Sequence, residues 1–246
     1  VWSEIDLALR EIKPDYIYHM ASHVCGARNY ENMELTFKSN LVTTFNLLLT
    51  IHNIACKRII LAGSFEEVNS NSDISIPSSP YAAAKFAALN YALLYHKLFN
   101  TPVCIASIYM VYGPGQKDLK KLIPYVILNT LNQESPKLTS GNRNIDWVYV
   151  DDVVDALIKM LLAHGIEGES IDIGSGKSIK TKKMVNMLTD LIDSNVKPQF
   201  GVLNDRVMEQ EKNARVSETF DKIGWYPKTE LKLGLSNTIQ YFSNLS

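Results

Sequence analysis

A chain of 246 residues, 46% hydrophobic and 21% charged, can bury a full core and has the composition of an ordinary globular protein. Its net charge of −1 gives no electrostatic footprint for nucleic acid, and no apolar run approaches the length of a membrane span. Three cysteines, Cys25, Cys56 and Cys104, are too few and too scattered for a disulfide framework or a zinc site; they read as buried thiols in a reducing, cytoplasmic setting.

The chain opens in an amphipathic helix, "VWSEIDLALREIKPD", that runs directly into a short strand, "PDYIYHMAS" (14–22). Helical spacing of apolar residues follows over 34–55. "KRIILAGS" (57–64) is a second strand. "SSPYAAAKFAALNYALLYHK" (78–97) is a helix whose start is marked by Ser79-Pro80. A strand within 101–115 runs into a Gly-Pro turn, and a helix is expected over 118–134. Continuous apolar strands alternating with helices predict a parallel sheet covered on both faces. Beyond residue 135 the elements shorten. "DWVYVDDV" leads into a helix to about residue 163, followed by strand "SIDIGS", a helix over 180–194 and a final helix. The fold expected is α/β, a Rossmann-type doubly wound sheet in residues 1–135, with a smaller mixed region over 136–246, part of which returns to the sheet.

Some motifs are decoys. "GSGKS" (174–178) has the end of a phosphate-binding P-loop, but the position that needs the first glycine is Ile171, so a strand-to-helix loop is expected. His19 and His23 straddle a strand end without an apparent third metal ligand, and read as satisfied loop histidines. The run "KSIKTKK" (177–183) reads as a solvated helix start. No metal site is expected.

Tyr81 and Lys85 stand one turn apart on the 78–97 helix and share a face. The spacing is too common to prove anything alone; its context, a strand ending in Ser64 followed by a capped helix, raises it. A free phenol has a pKa near ~10. An ammonium beside it favours the phenolate, and a drop of about 3 units corresponds to about 4 kcal/mol, within reach of a charge pair in a dry cleft. Such a tyrosine can take the proton of a hydroxyl while a hydride leaves the same carbon.

"YIYHMAS", "FKSNLVTTFNLL", a serine-ended strand before "YAAAK", "VYGPGQ" and "DWVYVDDVVDAL" occur in one order. Together they resemble the extended short-chain dehydrogenase/reductases, the NAD-dependent epimerase/dehydratase family acting on nucleotide sugars, from about residue 5 to the closing "IGWYPKTELKLGLSNTI". The resemblance implies that Ser64, Tyr81 and Lys85 are the catalytic triad, with Lys85 also holding the nicotinamide ribose. It places Met20, Ala21, Ser22, Asn40, Ile108 and Tyr109 at the cofactor, NAD with NADP as the alternative, and Lys121 and Leu122 at the nucleotide of the substrate.

Several positions depart from the family pattern. Met110 stands where an asparagine often contacts the sugar diphosphate. Ile145-Asp146 replaces an Arg-Asp pair, which leaves Arg143 or Arg206 to supply the missing charge. Glu66 follows Ser64 at the spacing that dehydratases use for a second proton transfer, and reads first as a loop carboxylate. The glycine-rich pyrophosphate turn is absent before residue 60, so the resemblance implies an N-terminally truncated member, inactive as a fragment, with roughly 60 residues upstream of Val1. A 4-epimerase is the leading activity. A 4,6-dehydratase, a decarboxylase, a ketosugar reductase and a non-catalytic dinucleotide-binding protein are the alternatives. A homodimer through helices 34–55 and 81–98 is implied, with a nucleoside-diphosphate sugar as substrate.

Overall fold

The computed structural model describes residues 2–65 and 76–245. In chain order the elements begin with α1 (Trp2–Ile12), β1 (Tyr16–His19) and α2 (Glu31–Thr36), which continues without a break through a π-helical segment (Phe37–Val42) into α3 (Thr43–Ile51). There follow β2 (Arg58–Ser64), α4 (Pro80–Phe99), β3 (Val103–Ile108), β4 (Met110–Tyr112), α5 (Leu122–Leu131) and β5 (Asn144–Tyr149). The rest is α6 (Val150–Leu162), β6 (Ser170–Ile173), β7 (Ser178–Lys180), α7 (Thr181–Ile192), α8 (Val216–Ile223) and α9 (Leu231–Ser243).

Two compact units divide the chain. The first comprises Val1–Ile108, Leu157–Asp172 and Lys222–Gly224; the second comprises Tyr109–Ala156, Ile173–Asp221 and Trp225–Ser246.

The α/β class is as the sequence implies. In the first unit the sheet runs β1-β2-β3-β6, with β1 and β3 both parallel to β2. β2 and β3 are buried almost throughout, which is why they read as unbroken apolar runs. Their core joins Leu48, Ile51, Ile59, Leu61 and Val103 with Ala92 and Tyr95 of α4. α4 is held close by small side chains: Ala82, Ala84, Ala88 and Ala92 are all buried. Its start is fixed by Ser79, whose hydroxyl accepts the Ala82 amide at 3.1 Å, with Pro80 in the first turn. Asn100, left-handed at φ 54°, ends it.

At the amino end of β2, Arg58 is buried and donates to the Met160 and Leu161 carbonyls at 2.7 and 2.9 Å, to the Ala163 carbonyl, and to the Glu167 carboxylate. A cation on the last carbonyls of α6 satisfies groups that the helix itself leaves unpaired.

The second unit carries the sheet β4-β5-β7, with β4 and β5 parallel and β5 and β7 antiparallel. Its core includes Val126, Ile127, Trp147, Met184, Leu188 and Leu235. The single strand read within 101–115 is two: β3 ends at Ile108, and pairing passes to β5 where Met110 lies opposite Trp147. α5 begins at Leu122 because Asp118 folds its own turn first, its carboxylate accepting the Lys120 amide and its carbonyl the Lys121 amide.

The loop "GSGKS" receives an internal anion. The buried Asp146 carboxylate accepts from the Ser175 amide at 2.7 Å, the Ser175 hydroxyl at 2.5 Å, and the Gly176 and Ala214 amides at 2.9 Å. At Gly174 a Cβ would lie 2.7 Å from the Ala214 Cβ and 3.0 Å from an Asp146 oxygen, so glycine there lets the backbone close on the carboxylate.

Candidate active site

The carboxyl ends of parallel strands are where open α/β sheets take their ligands. β2 ends there in Ser64, which is buried and lies in register with Ile108 of β3. Tyr81 is half-buried in the first turn of α4, and Lys85, one turn on, is buried. The Lys85 ammonium donates to the Ala62 carbonyl at 2.7 Å, two residues before Ser64. Strand and helix therefore bring the ammonium to the end of β2 that carries the serine. Glu66 lies outside the described residues.

Behind Lys85 is a small cavity of about 20 Å³, room for a single water, lined by His19, Thr44, Leu61, Ala62, Gly63, Lys85, Ala88, Leu89 and Ile105. Burial, reinforced by the charge of Lys85, holds the His19 imidazole down to about 4, so the ring is neutral at physiological pH. His19 Nε2 lies 3.0 Å from the Thr44 hydroxyl, which itself donates to the Asn40 carbonyl at 2.7 Å. The hydroxyl has one proton, already given to Asn40, so the imidazole must be the donor and carries its proton on Nε2.

Asn40 sits in the π-helical segment, buried, and its side chain grips the loop after β1. Its Oδ1 accepts from the Ser22 hydroxyl at 3.0 Å and the His23 amide at 2.7 Å, and its Nδ2 donates to the His23 carbonyl at 3.1 Å. Met20 and Ala21 precede that clamp, with Met20 exposed. A single π turn inside an α-helix frequently marks a functional position. Arg28 pins the far end of the same loop to the start of α4, donating to the Ser78 carbonyl at 2.8 Å and the Gly26 carbonyl at 3.3 Å.

The residues read as substrate-binding, and Tyr109, read as bordering the cofactor, belong to the second unit. Tyr109 is buried with its hydroxyl on the Asn213 carbonyl at 3.1 Å, and Met110 opens β4. Lys121 caps α5 in an extended conformation, with Leu122 as the first helical residue. Arg143 is paired with Glu209 at 2.9 Å and donates to the Gln210 carbonyl at 3.0 Å, so its guanidinium organises the 209–211 loop. Glu211 holds the next residue, Asn144, through both its backbone and side-chain amides. Arg206 is exposed in the same loop.

Sequence reasoning did not find the parts played by Thr44, Arg28 and Asp146. Their partners lie 2 to 68 residues away along the chain, and only the Thr44–Asn40 spacing could have hinted at a bond.

A serine closing a central parallel strand, followed by a helix bearing a tyrosine and a lysine one turn apart, is the layout of a Rossmann-type α/β protein built for chemistry at the sheet's carboxyl end. The chain belongs to the NAD dependent epimerase/dehydratase family, whose sequence model matches residues 2–174. It is 25% identical over 253 residues to a UDP-glucose 4-epimerase of Mycolicibacterium smegmatis, covering 97% of this chain and 79% of the relative. It is 26% identical over 251 residues to the human dTDP-D-glucose 4,6-dehydratase, covering 97% and 71%. Among solved structures, the UDP-glucose 4-epimerase of Thermotoga maritima with UDP-glucose superposes with a TM-score of 0.90 at 21% identity, over 99% of this chain and 82% of that one. The UDP-glucuronic acid 4-epimerase of Bacillus cereus, in complex with UDP-glucuronic acid and NAD, does so with a TM-score of 0.90 at 22% identity, over 99% and 79%. These relatives are enzymes. No helix among the described residues is long and apolar enough to cross a membrane.

Proposed function

We propose that the protein is a cytoplasmic NAD-dependent nucleotide-sugar 4-epimerase. The observation that carries this reading is the buried Lys85 ammonium, tied to Ala62 beside the end of β2 and one helical turn from Tyr81. The site fits NAD: a buried cation, a buried serine and a loop clamped by Asn40 all lie at the carboxyl ends of β1 and β2. Met20, Ala21 and Ser22 would border the cofactor, with Ile108 and Tyr109 passing its nicotinamide. Bound there, NAD supplies a reversible hydride acceptor.

Tyr81 takes the proton of the sugar's 4-hydroxyl and returns it after the keto sugar has turned over. Ser64 donates a hydrogen bond to the reacting oxygen. Lys85 stabilises the phenolate electrostatically and orients the nicotinamide ribose. Lys121 and Leu122 bear on the nucleotide, Met110 on the sugar, and Arg143 or Arg206 on the diphosphate.

The dehydratase relative keeps the second reading open: with Glu66 as a further acid–base group, the same site would run a 4,6-dehydration. Exposed Leu94, Leu98 and Phe99 on α4, with Met33, Phe37 and Leu49 on the 31–51 helix, support a homodimer through these two helices.

The test is incubation of the full-length enzyme with NAD and UDP-hexoses, following the sugar's carbon-4 configuration by NMR. Interconversion of the two 4-epimers is expected. A 4-keto-6-deoxy product would replace this reading with the dehydratase, and no turnover of any nucleotide sugar would overturn both.

A further inference from the structure

The catalytic pair proposed above leaves a half-buried group unused. His19 ends β1 and shares with Lys85 the cavity behind the ammonium, and its imidazole is tied through Thr44 to the backbone of Asn40. Asn40 in turn holds Ser22 and His23. One line of hydrogen bonds therefore runs from the wall of the lysine cavity to the loop after β1.

We propose that His19 is a positioning residue for the Lys85 ammonium, its ring fixed by Thr44 so that it forms the polar wall of the cavity that Lys85 lines.

Burial in apolar surroundings disfavours the charged lysine, and polar groups turned towards it restore the balance. Of the side chains lining the cavity, Leu61, Ala62, Ala88, Leu89 and Ile105 are apolar, leaving His19 and Thr44 as the polar ones beside Lys85 itself. Among the described residues, His19 from β1 and Lys85 are the groups in that lining which ionise; β2, β3 and the 31–51 helix contribute none, and Tyr81 stands one turn away on the lysine's own helix. A carboxylate in place of the imidazole would neutralise the ammonium as seen by Tyr81, and an aliphatic side chain would remove one of the polar groups around it. A neutral ring that cannot compete for the charge does neither. The Thr44 bond fixes the proton on Nε2 and so keeps Nδ1 as a lone-pair acceptor.

This inference rests on the assignment of Tyr81 as the base, and the experiment separates the two. In the full-length enzyme, the ionisation of Tyr81 is read directly as the phenolate absorbance of the wild type minus that of Tyr81→Phe, alongside kcat and KM across pH and the dissociation constant for NAD. His19→Phe should raise the Tyr81 midpoint, and the acid limb of kcat/KM with it, by about one pH unit, with KM for the sugar nucleotide unchanged. His19→Gln, whose amide can still donate to Thr44, should bring the midpoint back to within a few tenths of a unit. Thr44→Val should move it in the same direction as His19→Phe, by about half as much.

A folded His19→Phe enzyme with the wild-type Tyr81 midpoint overturns the proposal. If His19→Phe does not fold, an unmoved midpoint in Thr44→Val overturns it. A Tyr81→Phe enzyme that keeps its activity sinks the underlying site assignment instead, a result distinct from either.

Discussion

Arg58 and Lys85 are equally hidden, each 6% exposed, and lie toward opposite ends of β2. Arg58 is heavily engaged: three carbonyls at the end of α6 and the Glu167 carboxylate accept from its terminal nitrogens, and it closes a helix. Lys85 donates to a strand carbonyl, that of Ala62, and borders a cavity that also meets a neutral imidazole. The same degree of burial thus serves two purposes. A cation whose acceptors include a carboxylate is spent on architecture, whereas one beside neutral polar groups keeps a field that a neighbouring phenol can feel.

If that contrast is right, the two ends of β2 should fail in different ways. The largest effect is expected at the carboxyl end: Tyr81→Phe should lower turnover by roughly 10²–10⁴-fold while leaving the melting temperature of the enzyme within error of the wild type. Next is the amino end. Arg58→Met leaves the partly exposed Glu167 without its buried partner and strands three carbonyls, which should cost about 3 kcal/mol in urea unfolding with turnover per folded molecule unchanged. An Arg58→Met protein of normal stability and lost activity would erase the distinction altogether.

The third effect sharpens the contrast through pH. The folded state depresses His19 from 6.5 to about 4, so the fold binds fewer protons there than the unfolded chain. That contribution is intact above pH 6.5 and is lost as pH falls through about 4, with an upper bound of about 3 kcal/mol. Unfolding followed between pH 7 and pH 4 should show this decline in the wild type and a flatter curve in His19→Gln. Glu167 works in the same direction over a lower range. Burial raises its carboxyl, but the bond to Arg58 more than offsets this and holds it below 4.5, so its contribution fades only as pH drops beneath that value.

The smallest change should come from Glu66→Gln, which is expected to leave epimerisation within about tenfold of normal. Reduced cofactor accumulating in that variant, seen by its near-ultraviolet absorbance, would move the assignment to the dehydratase.

The sheet was legible because β2 and β3 are buried on both faces and so spell continuous apolar runs. The start of α4 was legible because Ser79 and Pro80 act locally. What escaped has non-local causes. Nothing in "RIIL" says that its arginine will meet a helix end a hundred residues later. Counting glycines set aside a P-loop at 174–178, but the carboxylate that fills that loop, Asp146, comes from another strand. The π-helical segment escaped because "FKSNLV" has the same apolar spacing whether or not the helix takes an extra residue there. At the candidate site, the spacing of Tyr81 and Lys85 could be read, while the carbonyl that receives the ammonium and the histidine beside it could not.

That π-helical segment bears on which kinds of sequence change the protein can absorb. An α-helix turns by about 100° for each residue, so dropping any one of the six residues Phe37–Val42 would let the rod run on as regular helix and swing everything beyond it by about that angle. Thr36 before the swing, and Thr44, Leu47 and Leu48 after it, are all buried as the helix stands, and after such a deletion the two sides would face different ways. Exchanging the exposed Phe37 or Lys38 for another helix former disturbs none of this. A deletion scan through 37–42 should therefore be far harsher than a substitution scan of the same stretch, because the number of residues here, more than their identity, sets the pitch of the site.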